Sequence, residues 1–257
     1  MIGKVLKELR VERPLIATKC GISWDHSGKV NRWVNAKQVR REIEASLKRI
    51  GVDVIDLYQV HWPYPDKLIE ETWAEMAKLV REGKVRYIGI SNYSLDQIKR
   101  VQAIHPVTSL QSRYSMIHRE LEDEILPYCE KNHIGFLAYS PMAKGILTGK
   151  VSPGWVDALA SDDHRKNDPD FLGRKLNSHL KFVEELKPIA LRNGKTLAQL
   201  ALAWVLRRKE VTSAIAGARN PAQIEETAKV GDIVLGKDDV SEIDVLLKKY
   251  ERQAATK

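Results

Sequence analysis

The chain has 257 residues, of which 43% are hydrophobic and 30% are charged. This balance is typical of a soluble globular protein and excludes a disordered or membrane class. The formal net charge is +8, but the basic residues lie beside acidic ones along predicted helices, as in 37–44. We therefore favour solvated helix faces over nucleic-acid binding, and no zinc-finger or helix-turn-helix spacing is present.

The N-terminal residues 1–10 have apolar side chains at helical spacing with charges throughout. This pattern predicts a helix and is neither a signal peptide nor a membrane span. The two cysteines, Cys20 and Cys129, are too few for a disulfide framework or a cysteine-rich metal site. We expect a cytoplasmic protein that does not bind membranes.

Short apolar runs alternate with amphipathic helical stretches from Leu15 to the C-terminus. This alternation predicts a single α/β domain over residues 1–257, built on a parallel sheet. Six strands are predicted, at Leu15–Thr18, Asp56–His61, Tyr87–Ile90, Ser109–Gln111, Gly135–Tyr139 and Ser213–Ala216.

Local signals place several helix ends. Asn35 and Gln38 form a capping-box-like pair ahead of a helix over 36–50, which Gly51 closes. Ser94 and Asp96 open a helix that runs to about residue 103. The longest irregular stretch covers about 148–175, and a loop of that length is usually functional or mobile.

Polar side chains gather where the predicted strands end. In a parallel sheet of this class the carboxyl ends of the strands form the ligand-binding face, so the pattern predicts one shared site. The residues are Lys19, His61, Ser91, Asn92, Gln111, Tyr139 and Ser140.

Each of these residues also has an ordinary structural interpretation. A lysine at the end of an apolar strand either extends to solvent or is held as a cation in a pocket, and the two cases are about equally common. A lone histidine at a strand end is most often a hydrogen-bonded structural residue. Ser91 and Asn92 either cap a turn or grip an amide group of a ligand. Tyr139 packs in the core or stacks on a heterocycle.

A phosphate site is predicted at Gly217–Glu226. There a strand gives way to a glycine turn and a helix N-terminus, whose free N–H groups favour an anion, and Arg219 can pair with a phosphate. The Rossmann glycine pattern, a nucleophile elbow and metal-ligand clusters are missing from the sequence. Of the classes of enzyme chemistry considered, acid–base chemistry with a bound cofactor is the one that the sequence still allows.

Five motifs together resemble the aldo-keto reductases, in particular the bacterial general-stress type. They follow one another in order through residues 1–245 and lie at Leu15–Gly21, Asp53–Pro63, Gly83–Asn92, Ala138–Lys150 and Ile215–Arg219. The resemblance implies a (β/α)8 TIM barrel that binds NADP(H) and reduces a small carbonyl substrate, an aldehyde or ketone, by hydride transfer.

The resemblance also implies roles for individual residues. Lys19 and His61 match two of the family's four catalytic positions, and Arg219 would favour NADP over NAD. The implied cofactor contacts are Ser91, Asn92 and Gln111 on the nicotinamide carboxamide, Tyr139 on its ring, Ser140, Met142, Gly145 and Leu147 along the pyrophosphate, and Gly217, Arg219, Gln223 and Glu226 around the adenosine 2′-phosphate.

The sequence differs from the family pattern at its N-terminus. The chain starts inside what resembles the family's second helix, so we expect an N-terminally truncated barrel of about six strands that lacks roughly 60 residues. The catalytic Asp and Tyr cannot be assigned, and neither Tyr58 nor Tyr64 matches. Open sheet edges would favour self-association. The alternative function is an NADP(H)-binding or interaction protein with impaired catalysis.

Substrate choice is expected to lie in the variable loops at about 22–35, 62–66 and 151–175. Trp24 and Trp62 are candidates for the wall of an apolar carbonyl pocket. A third interpretation, binding of a polyanion through the positive net charge, would show itself as steeply salt-dependent binding to DNA.

Overall fold

The computed structural model describes residues 2–9 and 12–255. The chain divides into two compact units, residues 1–112 with 123–136, and residues 113–122 with 137–257. The expectation of a single domain stays a prediction. The predicted N-terminal helix is present over Ile2–Glu8, while Met1 and Arg10 lie outside the described residues.

Strands and helices alternate along the chain. The strands are β1 (Ala17–Cys20), β2 (Ser23–Trp24), β3 (Val30–Asn31), β4 (Ile55–Val60), β5 (Val85–Ser91), β6 (Ser109–Arg113), β7 (Gly135–Tyr139) and β8 (Val211–Ile215). The helices are α1 (Ile2–Glu8), α2 (Ala36–Ile50), α3 (Ile69–Arg81), α4 (Leu95–Gln102), α5 (Ile125–Lys131), α6 (Pro153–Asp157), α7 (Gly173–Arg192), α8 (Leu197–Leu206), α9 (Pro221–Ala228) and α10 (Lys237–Ala255).

In the first unit, β1, β4, β5 and β6 are parallel neighbours in that order. In the strand order of the sheet, β7 lies between β6 and β8. The register places Gln59 opposite both Lys19 on β1 and Gly89 on β5, and Ser91 opposite Gln111. The carboxyl ends of these strands therefore lie at one edge of the sheet.

All six predicted strands are present, but several bounds differ: Leu15 and Ile16 lie outside β1, His61 lies beyond β4 and Ala216 lies beyond β8. Leu15 lies outside β1 and is 83% exposed. The physical reason is that the N–H of Ile16 donates to the Asp56 carboxylate at 2.8 Å rather than to a strand backbone. The short hairpin of β2 and β3 was not predicted. Its turn is held by Asp25, whose carboxylate accepts from the N–H groups of Ser27 and Lys29 at 2.9 and 3.1 Å.

The predicted helix ends are largely confirmed. Asn35 caps α2 by accepting the N–H of Gln38 at 2.8 Å, and Gly51 ends the helix with a left-handed φ of 78°. The Gln38 side chain does not complete the capping box, and its amide nitrogen donates to Glu42 at 2.6 Å. Ser94 caps α4 in a full capping box with Gln97.

The prediction of one irregular stretch over 148–175 is partly wrong. Helix α6 begins after Ser152, whose side chain accepts the N–H of Trp155, and two 3-10 turns follow at His164–Asn167 and Pro169–Phe171. Aspartates at positions 163 and 168 cap these turns. The Asp and Pro residues that suggested a loop are the residues that begin these short helices.

The second unit contains a buried charged cluster around Asp170. The carboxylate lies 2.9 Å from Nε2 of His118, 2.6 Å from Nζ of Lys175 and 3.7 Å from Nε2 of His179. The Nδ1 of His179 lies 2.9 Å from the hydroxyl of Tyr250 on α10. The hydrogen bond from His118 and the nearby imidazole of His179 hold the pKa of Asp170 well below its usual range. This cluster links the 169–171 turn to α7 and α10.

Among the described residues, no helix has the length and apolar character needed to cross a membrane.

Candidate active site

Hydrogen bonds join the four strand ends of the first unit. The N–H of His61 donates to the Cys20 carbonyl at 2.9 Å, and the N–H of Asn92 donates to the Gln111 carbonyl at 3.0 Å. The Asn92 side-chain amide donates to the His61 carbonyl and to the Ser91 hydroxyl, both at 3.1 Å. Of the residues predicted at this edge, Lys19, His61, Ser91, Asn92 and Gln111 therefore lie at neighbouring strand ends, whereas Tyr139 and Ser140 belong to the second unit.

Asn92 has a left-handed backbone conformation, with φ of 63°. Asparagine tolerates this region better than most residues, because its short side chain bonds locally. The helix cap that follows is supplied by Ser94. Ser94, rather than Ser91 or Asn92, therefore caps that helix, and the Asn92 amide is used in hydrogen bonds to the His61 carbonyl and the Ser91 hydroxyl.

The charge of Lys19 acts on the neighbouring imidazole of His61. Lys19 is half-buried, and loss of hydration lowers the pKa of its ammonium group. Burial, together with the charges of Lys19 and Arg32, lowers the pKa of His61 to about 4. At neutral pH His61 is therefore a neutral imidazole close to Lys19 and Arg32, a form that can donate a hydrogen bond to a carbonyl oxygen.

The depressed pKa of His61 makes folding depend on pH. The unfolded state binds a proton near the ordinary value of 6.5 and the folded state only near 4, so the stabilisation is present above pH 6.5 and is lost as the pH falls through this window. After allowing for partial exposure, we expect a loss of roughly 1–2 kcal/mol. Urea unfolding between these pH values should show a smaller loss in His61→Gln than in wild type.

The exposed His26 supplies the control for that measurement. His26→Gln should follow the wild-type curve, whereas an equal pH dependence in wild type and His61→Gln would contradict the interpretation.

A carboxylate that the sequence pattern does not indicate fixes the turn after Lys19. Gly21 has φ of 93° and its N–H donates to Glu42 on α2 at 2.8 Å. The other oxygen of Glu42 accepts from Gln38 at 2.6 Å. Glu42 lies three residues after the conspicuous apolar Val39, and nothing in the local pattern separates it from an ordinary solvent-facing glutamate.

Gln59 was also missed, although it carries a sequence signal. It is a polar residue inside a strand predicted to be buried, and its side chain is 0% exposed. It bonds to the side chains of Ser109 and Gln111.

In the second unit, an unusual backbone segment follows Tyr139. Ser140, Ala143 and Lys144 have φ values of 51°, 48° and 55°, and Gly145 has φ of 108°. Left-handed conformations cost most side chains roughly 1–2 kcal/mol each, and they cluster at functional sites. The segment holds the predicted pyrophosphate contacts Ser140, Met142, Gly145 and Leu147; Leu147 is buried.

Tyr139 is half-buried at the end of β7. Burial raises the pKa of its phenol, so the ring is neutral at physiological pH. Its backbone carbonyl accepts the N–H of Tyr114 at 3.3 Å.

The predicted phosphate site lies where β8 leads into α9. Asn220 caps the helix by accepting the N–H of Gln223 at 3.0 Å, and the Gln223 side chain accepts the N–H of Arg219 at 2.7 Å. Arg219 is exposed. A Cβ at Gly217 would meet no described atom within 4 Å, so this backbone is open on one side. Glu226 accepts from the Thr196 hydroxyl at 2.6 Å.

The two candidate pocket tryptophans differ in environment. Trp24 is 71% exposed on the short strand β2. Trp62 follows His61, with near-parallel rings 6.3 Å apart between centroids, and the guanidinium of Arg32 lies 5.3 Å from its ring centroid. The described part of the chain groups no three His, Cys, Asp or Glu side chains in a metal-binding arrangement.

The sequence profile of the Aldo/keto reductase family matches residues 1–248. Aldo-keto reductase YhdN of Bacillus subtilis is 36% identical over 250 residues, which are 96% of this chain and 75% of that protein. The NADH-specific methylglyoxal reductase of Escherichia coli is 32% identical over 264 residues, 98% of this chain and 80% of that protein. The structure of glycerol dehydrogenase AKR11B4 from Gluconobacter oxydans matches with a TM-score of 0.89 and 33% identity, over 97% of this chain and 76% of that one.

The chain therefore belongs to the aldo/keto reductase family. The relatives named above are oxidoreductases, and one of them is specific for NADH by name. Family membership thus implies a nicotinamide cofactor and leaves the choice between NADPH and NADH to the residues around the adenosine.

Proposed function

We propose that this protein reduces aldehydes or ketones to alcohols by hydride transfer from NADPH. The observation that carries the proposal is the joining of Lys19, His61, Asn92 and Gln111 at the carboxyl ends of neighbouring strands, with a cation beside a neutral imidazole. In a parallel sheet this edge is where ligands bind. We also propose that the six-stranded parallel sheet is part of a (β/α)8 barrel, and that the protein works in the cytoplasm.

The polar groups of the first unit fit the nicotinamide end of the cofactor. The side chains of Ser91, Asn92 and Gln111 offer hydroxyl and amide groups, which suit a carboxamide that both donates and accepts hydrogen bonds. Tyr139 of the second unit offers a neutral ring for stacking. When bound, the cofactor supplies the hydride for the carbonyl carbon.

The second unit carries groups that fit the phosphates. The turns through Ser140, Met142, Gly145 and Leu147 would lie along the pyrophosphate; the N–H groups of Gly145 and Leu147 donate to the Met142 carbonyl and hold these turns in shape. Arg219 beside the N-terminus of α9 suits the 2′-phosphate through charge and a forked donor pair. Gly217, Gln223 and Glu226 would surround the adenosine.

Lys19 and His61 act on the carbonyl group in this proposal. The neutral imidazole orients the carbonyl oxygen. The Lys19 ammonium stabilises negative charge that develops there. In the family a tyrosine phenol gives the proton, and no residue of this sequence is assigned to that role. Trp62, next to His61, would form an apolar wall for the substrate.

A second function keeps cofactor binding and loses reduction, because no residue of this sequence is assigned as the Asp or Tyr that the family uses. Both functions predict that NADPH binds; only the first predicts turnover. Fluorescence titration with NADPH, run beside an absorbance assay with a panel of small aldehydes and ketones, separates them. Binding with turnover supports the reductase, binding without turnover supports the alternative, and no binding overturns both.

Arg219→Ala tests the choice of cofactor. Because an exposed charge-assisted pair contributes roughly 1.5–2 kcal/mol, the Kd for NADPH should rise about 10- to 30-fold. The Kd for NADH should change by less than about twofold, since it lacks the 2′-phosphate.

Lys229→Ala, at an exposed lysine just after α9, is the matched control for general loss of positive charge and should leave both constants near the wild-type values. Equal weakening of NADPH and NADH in Arg219→Ala would mean that this arginine is structural.

A further inference from the structure

The interior of the first unit contains a chain of three polar side chains on β4 and β6. The amide nitrogen of Gln111 donates to the amide oxygen of Gln59 at 3.0 Å, and the amide nitrogen of Gln59 donates to the hydroxyl of Ser109 at 3.1 Å. All three residues are buried, with Gln59 0%, Ser109 5% and Gln111 6% exposed. Because water is excluded here, the orientation of each of these three side chains depends on its hydrogen bonds to the other two.

Gly89 makes room for this chain. It lies opposite Gln59 and Ser109 in the register, and a Cβ there would lie 2.3 Å from the Ser109 hydroxyl and 3.2 Å from Cγ of Gln59. The close approach of the three strands at this point thus depends on a residue without a side chain.

The chain has a direction, from Gln111 to Gln59 to Ser109. An amide has two chemically different ends, and one N–H of Gln111 is committed to Gln59. If Gln111 alone turned over, two acceptor oxygens would face each other in a buried place, at a cost of about 1–3 kcal/mol. Gln59 therefore sets which end of the Gln111 amide is presented to a ligand.

We propose that Gln59 is a positioning residue that makes Gln111 present its carbonyl oxygen, so that the site selects a nicotinamide whose carboxamide donates an N–H. This inference rests on the proposed function, in which Gln111 holds the carboxamide. Gln59 acts through Gln111, and it is the direction of the hydrogen-bond chain that confers the selectivity.

The test compares three ligands by titration: NADPH, its reduced 3-acetylpyridine analogue, and 2′,5′-ADP. The analogue keeps the carbonyl and lacks the N–H, and 2′,5′-ADP lacks the whole nicotinamide. Wild type should bind NADPH about five- to tenfold more tightly than the analogue, the value of one neutral hydrogen bond.

Gln59→Leu should reduce that preference to less than about twofold and leave the Kd for 2′,5′-ADP unchanged. Gln59→Glu keeps an acceptor for the Gln111 N–H and should restore most of the preference. Thr72→Val, which replaces another fully buried polar side chain of this unit, should keep the wild-type preference.

Three results would overturn the proposal: a wild type that binds NADPH and the analogue equally, a Gln59→Leu variant that keeps the full preference, and equal weakening of all three ligands by Gln59→Leu. If Gln59→Leu does not fold, the comparison of Gln59→Glu with Ser109→Ala decides, since Ser109→Ala removes the end of the chain and should lower the preference. A wild type that binds 2′,5′-ADP and not NADPH would instead refute the proposed nicotinamide site itself.

Discussion

Replacing Asp170 by alanine should lower the free energy of unfolding by roughly 3–5 kcal/mol, the usual effect of removing one partner from a buried charged group. The variant leaves Nε2 of His118 without its acceptor and removes the counter-charge of Lys175. It also releases the 169–171 turn from α7. Urea unfolding at neutral pH, with the same slope assumed for both proteins, measures the difference.

Asp162→Ala is the matched control, because Asp162 is an exposed aspartate in the same stretch. Its effect should stay within about 0.5 kcal/mol. Since the pKa of Asp170 is depressed, its stabilising contribution is present above the ordinary pKa of an aspartate and is lost as the pH falls. A change below about 1 kcal/mol in Asp170→Ala would mean that Lys175 and the two histidines find other partners at little cost.

Replacing Lys19 by methionine should lower kcat by about 100-fold or more, while the Kd for NADPH changes less than about threefold. Methionine keeps the length of the side chain and removes the charge that the proposed mechanism places beside the carbonyl oxygen. Because burial lowers the pKa of Lys19, the wild-type rate should also fall at high pH at a lower value than for a free lysine, and this limb should be missing in the variant.

Lys48→Met removes an exposed lysine of α2 and should leave kcat and Kd unchanged. If Lys19→Met lost cofactor binding and turnover in the same proportion, Lys19 would be a structural or binding residue and the assigned role would be wrong.

The sequence predicts features that depend on neighbours in the chain. The caps at Asn35 and Ser94 need only the next three residues, so both were placed correctly. The buried strands also follow from short apolar runs. The edge with Lys19, His61, Asn92 and Gln111 could be predicted because parallel strands end on the same side.

Features that depend on distant residues were not predicted. The bond between Gln59 and Gln111 joins residues 52 positions apart, and so does the bond between His118 and Asp170. Leu15 was wrongly placed in a strand because its apolar side chain looks like that of a strand residue, whereas the neighbouring N–H is taken by Asp56, 40 positions on from Ile16. Periodicity in the sequence carries no information on such pairings.

The left-handed residues Ser140, Ala143, Lys144 and Gly145 limit how the protein can be made more heat-resistant. Exchanging Ala143 or Lys144 for glycine would relieve local torsional strain, which ordinarily favours the folded state. Glycine would also give the unfolded chain more freedom and loosen the row of amide groups beside Tyr139. In this loop the gain from relieving backbone strain is thus offset by the greater entropy of the unfolded chain. Substitutions meant to raise thermal stability are better placed at surface positions outside it.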